Sequence, residues 1–520
     1  MSIDKKVAIV IILLLLSSFS GCMLFKTEFS LISSVVYDDD GFASLLISFN
    51  ATDKTTLKLF DPNDNIIFSD IYYRGINDAV PHLEEYRKTP PSGTYNLKAY
   101  DKDDNVIFKN QFFFNGQNLS ITKVAEEWWL EDNKYSLVGL NITIKNHGDL
   151  PAYPYIVDVQ IDNKESSGLL LPTVILPHQS NYGNCFFYIN DISSGSHHFE
   201  IVLKDLLGDA LANISYTDIP DENVSVVEYK WRYQENRQLK LPYPRFLYEY
   251  YSSQERLALE DFAAYVFDVY DDRYMDLVVE KFLALADTSD DVYLINFVTS
   301  FVQNLEYVED DPGDLPYDNP RFPIEMLVDK QGDCEDKAIL AAAILDNMVY
   351  NVSLLRLPNH MAVGVHLDEN ASSYDYYIEK YYFLETTGTR GFLGKVPEEY
   401  KDITNITVYP TFSRPILIHG WENATHLIGS DGSDFVKIKI IVENLGRETA
   451  YNFEIRGAFY SQNDVDFNQE TTSISSLTVG DKKEVDLKVD VPKGIATTLK
   501  TQIYLNNKMV HEKESKDSFP

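Results

Sequence analysis

The sequence predicts a multidomain chain in which one α+β domain is flanked by all-β immunoglobulin-like sandwiches. Three observations predict this. The chain has 520 residues, enough for three to four domains of ordinary size. Alternating apolar and polar runs, broken by Asp, Asn and Gly turns, fill residues 28–220 and 420–514. Helical spacing of apolar residues is confined to the stretch between them.

The first sandwich is predicted over residues 28–116. Leu57-Lys58-Leu59-Phe60-Asp61-Pro62-Asn63-Asp64-Asn65-Ile66-Ile67-Phe68 has a counterpart in Leu97-Lys98-Ala99-Tyr100-Asp101-Lys102-Asp103-Asp104-Asn105-Val106-Ile107-Phe108. Each reads as strand, acidic turn, strand: a hairpin. The acidic tips offer calcium ligands, but turn-forming is the plainer reading. A second sandwich is predicted over 119–220 and a third over 420–514. They share a pattern: Asn146-His147-Gly148 with Ala152-Tyr153, and Asn444-Leu445-Gly446 with Ala450-Tyr451, each after an alternating strand. His147, His197 and His198 read as turn and surface residues, because no carboxylate or cysteine stands at metal-site spacing.

The α+β domain is predicted over 226–412. Ser252-Ser253-Gln254-Glu255 reads as a capping box opening a helix with Leu259, Phe262, Val266 and Val269. A second helix carries Leu277, Val278, Phe282 and Leu285. A third carries Leu294 to Leu305, with Gln303 and Glu306 near its solvent side. Then comes Gly332-Asp333-Cys334-Glu335-Asp336. Asp333 is a helix N-cap, and Asp336 stands three residues on. Cys334 falls on the first turn of a helix whose continuation, Ala338 to Leu345, is apolar on nearly every face and therefore buried. The positive helix terminus favours thiolate there, while Asp333, Glu335 and Asp336 oppose it. Downstream, His360 opens one strand and Glu385 ends another. Nucleophile, base and orienter are all present in that order.

These residues, with Phe297 to Tyr307, Tyr317 to Glu325 and Gly391 to Pro397, resemble the transglutaminase-like superfamily, in particular its archaeal secreted members and bacterial transglutaminase-like cysteine peptidases. The resemblance covers roughly residues 290–400. It implies a papain-like Cys-His-acid domain with Cys334, His360 and Glu385 as catalytic residues, acting by acyl transfer or hydrolysis on amide bonds of envelope or extracellular proteins. Two departures stand out: Glu385 replaces the aspartate of many relatives, and no tryptophan lies between Trp231 and Trp421 to assist an oxyanion. The chemistry requires no cofactor. Some relatives with a similar Asp-Cys-Glu-Asp stretch use calcium, for which Asp333, Glu335 and Asp336 offer hard oxygens. An N-cap beside two solvated carboxylates is the preferred reading of those three. The flanking domains resemble cell-adhesion-related sandwiches, so a catalytically silent surface adhesin is the rival reading.

The net charge of -35 excludes nucleic acid as a partner, since phosphates would be repelled. Lys5 and Lys6, an apolar run from Val7 to Leu16, and Ser20-Gly21-Cys22 read as a signal peptide with a lipobox over residues 1–22. Cys22 is then the lipidation site, and the partners are a lipid bilayer and a protein or peptide substrate outside the cell. The alternative is an uncleaved membrane anchor, with the remainder still exported. Of three cysteines, Cys185 is left as a core residue rather than a bridge to Cys334. Nine Asn-X-Ser/Thr sequons, among them Asn141, Asn370 and Asn423, would be glycan acceptors in an archaeon or eukaryote.

Overall fold

The computed structural model describes residues 28–519, apart from 258, 260, 311–318, 369–370, 389–390, 429–431 and 464. The predicted leader with Cys22, the sequon at Asn370 and the Tyr317-Asp318 pair therefore lie outside the described residues. Strand dominates helix, 52% to 14%, as sandwich-rich chains require. Among the described residues no helix is long and apolar enough to cross a membrane.

The chain forms two compact units. The first holds residues 28–125, 141–185 and 196–218. In it, strands Ile66–Tyr72, Thr55–Phe60, Gly93–Tyr100 and Val106–Phe114 lie side by side in that order. Strands Phe29–Asp39, Phe42–Ala51 and Gly75–Ala79 make a second sheet. Alternation decides the core: Leu57, Leu59, Leu97 and Ala99 are fully buried together with Phe49 and Ile47. Both acidic hairpin tips prove self-satisfied. Asp61 Oδ1 accepts the N–H groups of Asn63 and Asn65, each at 2.8 Å. Asp101 Oδ1 does the same for Asp103 at 2.9 Å and Asn105 at 2.8 Å. These carboxylates build turns.

The second unit holds residues 126–140, 186–195 and 219 onward. Its last strands, Leu417–Ile428 to Lys508–Phe519, form two sheets around Val436, Ile438, Ile440, Phe453 and Ile455. The repeated Asn-X-Gly pattern has one physical cause in both units. Asn444 is fully buried; its amide donates to the Glu448 and Leu477 carbonyls, and its oxygen accepts from Gly446 and Ile416 N–H groups. Asn146 makes the matching four bonds, to Leu150, Ile175, Gly148 and Asn118. The glycines are forced by close backbone approach. A Cβ on Gly446 would stand 2.2 Å from the Arg414 carbonyl oxygen, and one on Gly148 would stand 2.1 Å from that of Gly116.

The middle of the second unit carries helices α1 (Arg245–Ser252), α2 (Asp272–Ala286), α3 (Asp291–Asn304), α4 (Pro323–Asp329) and α5 (Cys334–Asn347). A four-stranded sheet runs Tyr381–Leu384, His360–His366, Asn351–Leu357, Thr407–Pro410. Helix α5 packs against α2, α3 and α4 and against the two central strands. Every residue from Ala338 to Leu345 is fully buried, which explains its lack of a polar face. Trp231, Phe282, Phe297 and Phe301 cluster in the same domain, with Phe301 edge-on to Trp231 and Phe282 and the other contacts tilted.

Three expectations are corrected. Ser252 and Ser253 close a helix rather than open one: Ser253 is the C-cap of α1, and its hydroxyl donates to the Tyr250 carbonyl at 2.8 Å. The chain then turns away, because Arg256 forks onto the buried Glu325 carboxylate at 2.7 and 3.0 Å. Phe262–Tyr265 is a short 3-10 turn capped by Asp261. Gln303 is not on the solvent side; its amide donates to the Glu385 carbonyl at 2.8 Å. His197 is buried, bonded to Asp162 at 2.7 Å, whereas His147 and His198 are exposed.

Candidate active site

Helix α5 begins where two residues of parallel pairing, Glu306 with Gln331 and Tyr307 with Gly332, pin the preceding chain. Asp333 is the N-cap and Cys334 the first helical residue. Asp336 Oδ2 reaches back to the Asp333 N–H at 3.3 Å. The same carboxylate takes Arg321 through its side chain at 3.0 Å and its backbone N–H at 2.7 Å. Gly332 permits this: a Cβ there would lie 2.5 Å from Asp336 Oδ2 and 2.4 Å from the Met326 sulfur.

The Cys334 thiol donates to Glu335 Oε2 at 3.1 Å. Burial pushes the thiol pKa well up, the adjacent Glu335 carboxylate pushes it further, and the Met361 backbone N–H, which reaches the sulfur, works the other way. That contact sets the sulfur beside the start of the His360–His366 strand. His360 is the first residue of that strand, and its Nε2 lies 3.1 Å from Glu385 Oε2; the two side chains are 7% and 6% exposed. The imidazole stacks on the Tyr400 ring, 4.7 Å between centroids and 4° from parallel. Glu385 follows the strand Tyr381–Leu384. Its other oxygen, Oε1, accepts from the Thr387 N–H at 2.8 Å and the Thr387 hydroxyl at 2.6 Å. Burial raises its pKa, but the His360 bond and charge and the Thr387 donors overcome this and hold it at about 2. Glu385 is therefore an ionised acceptor at any physiological pH.

Asp336 does not belong with the candidate calcium ligands, because Arg321 occupies it. Asp310 takes its place: Asp310, Asp333 and Glu335 each offer an oxygen within 4.8 Å of the others. Asp333 is 8% exposed, and its Oδ1 has no hydrogen-bond partner. Burial and the neighbouring Glu335 carry the Asp333 pKa up to about 8. Three hard oxygens, one orphaned, fit a calcium ion. Asp310 was not legible in advance, since it lies more than twenty residues upstream.

Two tyrosines were also missed. The phenols of Tyr307 and Tyr400 are both raised by burial first, Tyr307 to about 12, and both sense Cys334. The lack of a nearby tryptophan was the available cue to look for another aromatic. Cys185 and Cys334 do not bridge each other, and Cys185 is fully buried.

No protein-family model matches the chain, and no curated protein matches it. Solved structures with some likeness include a transglutaminase of red sea bream, at 10% identity and a TM-score of 0.18, covering 72% of this chain and 79% of that one. An exo-chitosanase of Amycolatopsis orientalis reaches 7% identity and a TM-score of 0.17, covering 91% and 76%. A two-domain fibronectin type-III segment of chicken tenascin reaches 8% identity and a TM-score of 0.17, covering 36% and 99%. Likeness this slight carries no argument about fold or function. The case for function therefore rests on the residues themselves.

Proposed function

We propose that the chain is an exported transglutaminase-like cysteine enzyme, acting on amide bonds of envelope or extracellular proteins through Cys334, His360 and Glu385. The observation that carries the reading is the buried His360–Glu385 hydrogen bond next to a cysteine on the first turn of a helix.

The chemistry follows from which ring nitrogen is engaged. Glu385 accepts from Nε2, so the imidazole tautomer carries its proton there and Nδ1 is the basic nitrogen. Nδ1 takes the Cys334 proton. The thiolate attacks an amide carbonyl, and the backbone N–H of Cys334, an unpaired donor at the helix start, stabilises the oxyanion. The hydroxyl of the exposed Tyr307, which senses the Cys334 charge, is the candidate second donor. His360 then returns its proton to the leaving amine, and a thioester remains. Water resolves it to a carboxylic acid; a lysine amine resolves it to a crosslink. Calcium, when held by Asp310, Asp333 and Glu335, would supply positive charge that favours thiolate and competes with the thiol for Glu335. Attachment of the mature chain to the outer face of the membrane through a lipidated Cys22 belongs to the same reading, and the mass of the native N-terminus tests it: an intact Met1 without lipid contradicts it.

One observation favours the rival reading of a silent adhesin. The thiol bonds Glu335 and its pKa is pushed up, the opposite of an activated cysteine. Activity decides between them. Wild type and Cys334→Ala are compared, with calcium present, for release of ammonia or incorporation of a fluorescent amine on a casein substrate. Activity in wild type and none in a folded Cys334→Ala supports the enzyme. Equal activity in both contradicts it.

A further inference from the structure

A second acidic group gathers at the start of α2, where the far end of α5 brings Asp346 to it. Most of its members are satisfied. Asp272 and Asp346 share the Arg447 guanidinium, the former at 3.1 Å, and Asp346 also accepts from the Thr411 hydroxyl at 2.9 Å. Glu443 is paired with Lys482 at 3.3 Å. Asp268 accepts from the Tyr251 hydroxyl and, at 2.9 Å, from the Tyr270 N–H, both through Oδ1.

Asp271 is the exception. It is 1% exposed, and neither of its carboxylate oxygens has a hydrogen-bond partner. It is the N-cap residue of α2, yet its side chain caps nothing; only its carbonyl is used, by the Met275 N–H at 2.8 Å. Three residues along the helix, Tyr274 is fully buried, and its hydroxyl has no partner either. The two sense each other electrostatically without forming a hydrogen bond. Arg447, whose charge reaches Asp271, is committed to Asp272 and Asp346.

Burying a carboxylate with no partner is among the costliest arrangements in a protein. A proton would remove the charge but leave a donor and an acceptor still unmatched. A cation removes the charge and ligates the oxygens at once. We propose that Asp271, with Asp268 and the Tyr274 hydroxyl, forms a site for a hard divalent cation. Carboxylate and phenol oxygens without sulfur or imidazole select calcium-like ions over zinc or copper.

Calcium is the probe. In the full chain stripped by chelator, Asp310→Asn with Asp333→Asn and Glu335→Gln removes the three carboxylates that could hold a cation beside Cys334. Calorimetric titration of that triple variant should still find one calcium per chain. Adding Asp271→Asn should abolish it. No calcium bound in the triple variant overturns the proposal and leaves a proton on Asp271. Calcium retained after Asp271→Asn also overturns it. Should the quadruple variant fail to fold, terbium replaces calcium in the triple variant, with excitation of tyrosine. Tyr274→Phe should then cut the sensitised emission at least about twofold, because transfer falls steeply with distance from the phenol; unchanged emission overturns the site.

Discussion

At the scale of single residues, Glu385 is held on both of its oxygens. It receives His360 on one oxygen and Thr387 twice on the other, so it can fix the ring and remain charged. Glu385→Gln keeps the shape but favours the wrong tautomer. The rate of amide turnover should fall by about 10³–10⁴ while Glu385→Asp retains part of it. Wild-type rates in Glu385→Ala would show that another group orients His360. Tyr307→Phe removes only a hydroxyl. If that hydroxyl serves the oxyanion, kcat should drop about 10²-fold with KM little changed; a drop confined to KM would assign Tyr307 to binding instead. Periodicity placed Cys334, His360 and Glu385 at element boundaries, and the ordered motifs around them, through their family resemblance, singled them out as candidates. Asp310, Tyr307 and Tyr400 were not, because they reach the site through tertiary packing.

At the scale of elements, α2, α3 and α5 could be read from apolar spacing, and the two acidic hairpins from their turn chemistry. The Ser252 capping box misled. Its sequence matches a helix start, but Arg256 binds Glu325 and draws the chain out of helix. A long-range ion pair of this kind leaves no local trace. The Asn-X-Gly repeat was visible as a pattern, and the buried amide explains it. Asn444→Ala would orphan two carbonyls and two N–H groups in a packed sandwich corner. A loss of about 3 kcal/mol or more is expected in denaturant unfolding monitored on the C-terminal sandwich. A loss under about 0.5 kcal/mol would mean that water replaces the side chain at no cost.

At the scale of the whole molecule, buried carboxylates set the pH response. Burial, with the nearby Asp268 and Asp346 charges, carries Asp272 to about 6 against the pull of Arg447. Burial and Asp333 carry Asp336 to about 7 against Arg321. Both lie above the unfolded value of about 3.9. Their contribution is therefore full below about pH 4 and is lost as pH rises through 6 and 7. Glu385, held at about 2, has the opposite sign: its contribution is present above about 4.3 and is lost as pH falls toward 2. With chelator present, thermal unfolding should therefore come at a higher temperature at pH 5 than at pH 8. The net charge of -35 acts in the same direction, through self-repulsion that grows as carboxylates ionise. A midpoint that climbs from pH 5 to pH 8 would contradict these assignments.

In the proposed mechanism His360, held by Glu385, activates Cys334. Alkylation of Cys334 by iodoacetamide, followed by mass spectrometry at pH 6 with calcium present, tests it most directly. Wild type should react at least about tenfold faster than His360→Ala, since a thiolate paired with imidazolium persists well below the ordinary thiol pKa of about 8.5. Equal rates in the two proteins, each rising only above pH 8, would contradict it.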